Sequence, residues 1–139
     1  MNTLLGANGS RTVRIVVLMK TPSLNDLKGK KYRNHHDYTR LRNEWQRTIY
    51  YSVPYVERSW LLGMQRAGKK MRLTIHVAHK KLYDVDNLIG GCKPVVDALK
   101  HLLFLKDDSP EFMELHITQE KLNDARTTIT LEDAQEVLW

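Results

Sequence analysis

Residues 83–110 read YDVDNLIGGCKPVVDALKHLLFLKDDSP, and the rest of the chain is arranged around this stretch. Acids stand at both ends, Asp84 and Asp86 ahead of an apolar run and Asp107 and Asp108 behind it. Between them lie the pair Gly90-Gly91, one lysine, Lys93, and a further acid, Asp97. The apolar run Leu73–Ala78 comes just before, so Asp-Val-Asp reads as the end of a strand. Alternate residues of a strand face the same way, which sets Asp84 and Asp86 about 6–7 Å apart on one face. Carboxylates at that spacing reach one or two hard cations. Magnesium takes oxygen ligands and often binds through only a few carboxylates, leaving the rest to water and phosphate. A third carboxylate from the far end of the following helix would complete such a site.

Working outward, Pro94 suits a helix that starts near Gly91–Pro94. Val95, Val96, Leu99, Leu102 and Leu103 supply its buried stripe, and it ends near Leu105 with Lys106 at the C-terminal dipole. Lys93 and Asp97 are one turn apart, the spacing of an ion pair. Asp107-Asp108-Ser109-Pro110 has the composition of a turn. Upstream, Met71–Ala78 alternates Leu73, Ile75 and Val77 with Arg72, Thr74 and His76, a strand with one buried face. His76 and His79 then fall on opposite faces and do not share a metal. Lys80 and Lys81 flank the acids and are placed to meet phosphate.

Thr12–Met19 is β-branched and apolar enough for a central strand, behind a poorly ordered tail at 1–10. Residues 20–26 are rich in turn formers. From Asp37, a plausible N-cap, to Ser52 the positions Tyr38, Leu41, Trp45 and Ile49 define an amphipathic helix with Arg40, Arg42 and Arg47 outside. Tyr55–Ala67 reads as a second helix with Trp60 and Leu61 inward, closed by Gly68; an exposed aromatic face there would serve dimerisation, although Trp and Tyr at helical spacing are usually core. Met113–Gln119 and Thr127–Leu131 read as a hairpin across Asn123-Asp124. Glu132–Trp139 reads as a short helix with Trp139 over a core edge. The fold class is α/β or α+β: one domain over 1–139, with a mixed sheet of about four strands packed against helices.

A chain of 139 residues can build a real core. With 42% apolar and 27% charged residues it has a globular composition, without an apolar run of roughly 18 residues to span a membrane. The N-terminus lacks a signal-peptide pattern, and one cysteine allows neither an internal disulfide nor a multi-Cys zinc site, so a cytoplasmic location is expected. Residues 28–72 carry twelve Lys/Arg against three acids, whereas residues 73–139 carry seven against twelve. A basic region beside an acidic motif suits a nuclease, the first attracting phosphate and the second holding metal. A solvated basic helix explains the same charges.

The succession Asp-x-Asp-Asn at 84–87, Gly-Gly-x-Lys at 90–93, Asp97, and Asp-Asp-Ser-Pro at 107–110 resembles the RusA-like Holliday junction resolvases, especially their phage-borne branch. It covers about a fifth of the chain. The gap filled by Ile89, Gly90, Gly91 and Cys92 is longer than in the bacterial type and reads as the phage variant. The resemblance implies a RusA-like fold and a homodimeric, magnesium-dependent endonuclease that cuts four-way DNA junctions, with magnesium and manganese not distinguished. It places catalytic, metal-binding carboxylates at Asp84, Asp86 and Asp108 and the essential lysine at Lys93, with Asn87, Asp97 and Asp107 as secondary positions. Pro-Ser-Leu-Asn at 22–25 resembles the family's N-terminal motif, which puts Asn25 near the site and Lys30, Lys31 and Arg33 on DNA, as with Lys80 and Lys81. Asn25 also has the simpler reading of a turn residue. No organic cofactor or membrane partner is expected. Two other classes remain open: a non-catalytic DNA-binding module whose acids are helix caps, and a metal-dependent hydrolase of nucleotides or of other branched or linear DNA.

Overall fold

The computed structural model describes residues 2–5, 11–29 and 34–134. Strand β3 (Met71–His79) buries Met71, Leu73, Ile75 and Val77 and turns Arg72, Thr74 and His76 the other way. A strand this apolar belongs inside a sheet, and it has a neighbour on each side. Strand β4 (Met113–Lys121) runs parallel to it with Ile117 beside Ile75, and β5 (Arg126–Asp133) runs antiparallel with Ile129 beside Ile75. Strand β2 (Arg11–Val17) pairs antiparallel with β5, and β1 (Asn2–Leu5) pairs antiparallel with β2. The result is one mixed sheet in the order β1-β2-β5-β3-β4. The expected α+β class holds, with one strand more than expected.

Among the described residues five helices occupy the connections: α1 (Leu24–Lys28), α2 (His35–Ser52), α3 (Tyr55–Arg66), α4 (Val85–Gly91) and α5 (Lys93–His101). Their inward residues Trp45, Ile49, Leu61, Val95 and Leu99 join Val13, Ile15, Leu73, Ile75, Ile129 and Leu131 in one core cluster. The sheet's other face keeps polar or exposed residues such as Arg14, Thr74 and Thr130, as a sheet with one wet side does. Among the described residues no helix is long and apolar enough to cross a membrane.

Several boundaries differ from expectation, each for a local reason. Asn2–Leu5, expected within a poorly ordered tail, is an edge strand, because β2 otherwise lacks a partner on that side. The last two strands are not a hairpin: β5 sits between β2 and β3, and the 122–125 link passes the end of β3 to reach it. Burial decides this, since Ile129 and Leu131 of β5 are fully buried whereas Leu115 of β4 is 36% exposed, a sheet-edge value. Parallel pairing of β3 with β4 in turn requires a helical crossover, which α4 and α5 provide. Glu132 and Asp133 extend β5 instead of opening a helix; 135–139, with Trp139, lie outside the described residues.

Helix α2 starts two residues early because Asn34, not Asp37, is the N-cap, its side chain accepting the Asp37 N–H at 3.0 Å. The turn-rich segment holds α1, closed by a capping box between Ser23 and Asp26. Helix α5 stops at His101 and not near Leu105. The Phe104 N–H reaches back to the Leu99 carbonyl and the Leu103 N–H to that of Lys100, a Schellman closure. Leu103 takes the left-handed position at φ 63° and is exposed, leaving Phe104 and Leu105 to enter the core.

Candidate active site

The Asp84–Asn87 motif does not end a strand. Four residues separate it from β3, and Asp84 is the N-cap of α4, accepting the Asn87 N–H at 3.0 Å. A short Asp-x-Asp-Asn segment satisfies an orphaned helix donor by this means, and the alternation of a strand no longer applies. Asp86 stands exposed in the first turn of α4. The approach to Asp84 is held by Gln119 of β4, which accepts the Tyr83 N–H at 3.0 Å and donates to the Tyr83 carbonyl at 2.7 Å. His79, buried, meets the same Gln119 oxygen and packs edge-on against the Tyr83 ring.

The glycine pair explains how α4 is seated. A Cβ on Gly91 would lie 1.8 Å from the Pro22 carbonyl oxygen, and one on Gly90 would meet the Leu24 side chain at 2.8–2.9 Å. The contact brings Asn25 to Asn87, whose side-chain oxygen accepts the Asn25 N–H at 2.9 Å. Pro22–Asn25 and Asp84–Gly91, far apart in the chain, thus form one joint.

At the other end of α4, Lys93, Asp97 and Lys100 recur at spacings of four and three, one face of α5. Lys93 Nζ donates to Asp97 Oδ2 at 2.8 Å, and the Tyr38 hydroxyl of α2 donates to the same oxygen at 2.5 Å. The Lys93 ammonium also lies 5.3 Å from the Tyr38 ring centroid. Burial alone would raise the Asp97 carboxyl, but the bonds from Lys93 and Tyr38 and the charges of Lys93 and Lys100 bring it below its usual range. Burial first, and then the Asp97 carboxylate, push the Tyr38 phenol well above its own. Lys93 and Asp97 border a cleft of about 420 Å³ whose walls also include Leu24, Gly90, Asp108 and Leu115. Cys92 also lines it, but the residue is buried and burial pushes its thiol up to about 12, so it offers no nucleophile.

Asp107 and Asp108 lie in the turn after α5, their carboxylates 3.7 and 3.5 Å from Lys100 Nζ. The Asp108 backbone N–H is the main reason that the Asp107 carboxyl falls below its usual range. Two groups of expected residues therefore form: Asn25, Asp84 and Asn87 at the joint, and Lys93, Asp97 and Asp108 around the cleft. Lys80 and Lys81 are exposed on the bend after β3, and Lys30, Lys31 and Arg33 lie outside the described residues.

Asp84, Asp86 and Asp108 offer exposed carboxylate oxygens, a donor chemistry that fits magnesium. Among the described residues no three His, Cys, Asp or Glu side chains are gathered closely enough to hold an ion. Sequence reading missed Tyr38, which its helix period presents as a core position, and Gln119, which carries no motif. It also missed Lys100, although its place seven residues after Lys93 was a usable signal. A scan of the chain against family models gave no match, and neither did a search of curated proteins.

Proposed function

We propose that this protein is a magnesium-dependent endodeoxyribonuclease of the RusA-like kind, cutting four-way DNA junctions as a homodimer in the cytoplasm. The observation that carries the reading is the cleft in which Lys93, Asp97 and Asp108, three elements of the motif, share one wall system beside the α1–α4 joint. Asp84, Asp86 and Asp108, not gathered into one group without the ion, are the residues that would hold magnesium. When bound, the ion would activate water for attack on the phosphodiester and neutralise charge at phosphorus.

The remaining work falls to side chains. The Lys93 side chain is 64% exposed, and besides the bond to Asp97 its ammonium has further donors for a phosphate oxygen on the cleft side. Asp97 and Tyr38 orient it, and Asp97, held below its usual range, sets a carboxylate beside the ammonium. A cation aimed at developing phosphate charge lowers the barrier through fixed electrostatics. Lys80 and Lys81 extend the positive surface next to Asp84. A symmetric pair of such sites suits paired nicks across a junction.

The test is cleavage of a labelled mobile junction beside a linear duplex of the same sequence, with magnesium or EDTA, using wild type and Asp86→Asn. Paired nicks in the junction alone, lost with EDTA and in the variant, are expected. Lys93→Ala should cost about 10²–10³ in rate, as loss of a transition-state donor does. Junction binding without cutting would overturn the enzyme and leave a structure-selective binding protein. Equal cutting of linear duplex would retain the nuclease and discard the junction preference.

A further inference from the structure

Helix α2 links the Lys93 cleft to a second surface. Tyr38 near its start touches Asp97, and Tyr51 near its end lies thirteen residues further on, about 20 Å at helical rise. Arg40, Glu44, Arg47 and Tyr51 recur at spacings of four and three, so they share a face of the helix, and all are exposed. Neither Arg40 nor Arg47 makes an ion pair among the described residues.

Tyr51 opens onto a groove of about 730 Å³ bordered by Arg14, Val16, Pro54 and Arg58, with no acid among its described walls. Tyr51 is 79% exposed and nearby Tyr55 73%. The Tyr50 ring meets Tyr51 edge-on at 5.3 Å and carries the Arg58 guanidinium 4.6 Å from its centroid. Arg58 also donates to the Val53 carbonyl at 2.8 Å, just past the end of α2. That contact gives Arg58 and Tyr50 a structural reason to be there. It gives none for Tyr51, Tyr55 or Arg14.

Arg14, Arg40 and Arg47 outnumber Glu44, the one acid on the Arg40–Tyr51 face, and ask for an anionic partner, while flat exposed rings ask for a flat apolar one. Single-stranded nucleic acid offers both in alternation, a phosphate at every step and base faces free to stack. We propose that the Tyr51 groove and the Arg40–Arg47 stripe form a docking track for single-stranded DNA, such as a tail or flap on a branched substrate. Tyr51 stacks a base there, while Arg14 and Arg47 meet its phosphates. The track goes beyond the junction-cutting reading and needs no metal.

The experiment is fluorescence anisotropy with a labelled oligothymidylate twelve-mer and a blunt duplex of equal length, both in EDTA. Tyr51→Ala should weaken the single strand about tenfold, the worth of one base–aromatic stack, and leave the duplex unaffected. Tyr51→Phe should bind as wild type does. Arg14→Gln together with Arg47→Gln should flatten the salt dependence by about 1.4 in log–log slope. Unchanged single-strand affinity in Tyr51→Ala would overturn the proposal. So would a Tyr51→Ala protein that keeps its oligonucleotide affinity but sediments as a monomer where wild type is a dimer, since the groove would then belong to a second copy. Asp86→Asn should leave oligonucleotide binding intact, so failure of junction cleavage and failure of the track are separate results.

Discussion

The two acid clusters of residues 83–110 are held in opposite ways. Asp84 sits in a joint of backbone contacts: its carboxylate caps α4, Gly91 lies against the Pro22 carbonyl, and Asn87 holds the Asn25 N–H. Asp107 and Asp108 lie in a turn, facing Lys100 across 3.5–3.7 Å with about half of each side chain in solvent. Close-packed backbone admits little displacement, whereas exposed charges at that distance are weakly coupled and screened. Asp84 is therefore fixed by folding, with Asp86 exposed in the turn that it caps. The second cluster is free to re-form around a new charge.

The sharpest way to break this contrast is Gly91→Ala. The added carbon would have to displace Pro22 backbone, because 1.8 Å is far inside contact distance. A loss of about 3 kcal/mol is expected in denaturant unfolding, the upper range for overpacking. Gly90→Ala meets the Leu24 side chain, whose Cδ atoms can rotate away but whose Cβ, at 2.9 Å, moves only with its backbone, and should cost about 2 kcal/mol. Equal effects at the two glycines would mean that the joint gives as a whole.

Tyr38→Phe comes next, between the fixed and the loose end. It removes the hydroxyl bonded to Asp97 and should cost about 1.5 kcal/mol, as for a bond to a charged acceptor. The sign of the pH dependence follows from the direction of each shift. Asp97 is held below its unfolded value, so its contribution is present above that value and lost as pH falls through the folded one. Without Tyr38 the folded value climbs back toward the unfolded one, so the acid-side loss should be smaller and complete at a higher pH. Tyr38 is held above its unfolded value, so its own contribution is complete below about 10 and fades as pH rises further. Phenol absorbance titration should show one late-titrating tyrosine fewer in the variant. The same alkaline profile in both proteins would remove Tyr38 from the network.

Much of this was legible in sequence because the signals were local. The alternation in Met71–His79 and the helical period of Tyr38, Trp45 and Ile49 report burial residue by residue, and both elements lie where expected. The four-residue spacing of Lys93 and Asp97 foretold their ion pair. What failed was non-local or bistable. A strand order that slips β5 between β2 and β3 leaves no mark on either strand's own pattern. Asp-Val-Asp is compatible with a strand end and with a helix cap, and only the donor of Asn87 decides between them. Tyr38 looked like core because periodicity reports the ring and is silent about the hydroxyl.

A smaller effect is expected where α5 hands over to the acidic turn. Leu103 holds φ 63°, a left-handed conformation that costs a β-carbon roughly 1–2 kcal/mol, and its side chain is 53% exposed. Leu103→Gly should raise stability by about 1 kcal/mol, since the closing bonds from Leu103 and Phe104 use backbone alone. A loss on thermal unfolding would show that the leucine side chain contributes more by packing than its conformation costs.

Lys100→Ala should change stability least of all. If only screened charge holds the acidic turn, the melting temperature stays where it was, and added salt changes it no further. Removing the cation nevertheless changes what Asp107 and Asp108 face, since Lys100 is the ammonium paired with both. On the proposed reading, magnesium would then meet less competition there, and the rise in melting temperature on adding magnesium should be larger in the variant than in wild type, by the linkage of binding to folding. Were Lys100→Ala as damaging as Tyr38→Phe, the turn would be as firmly built as the Gly91 joint, and the second cluster would have no freedom to re-form.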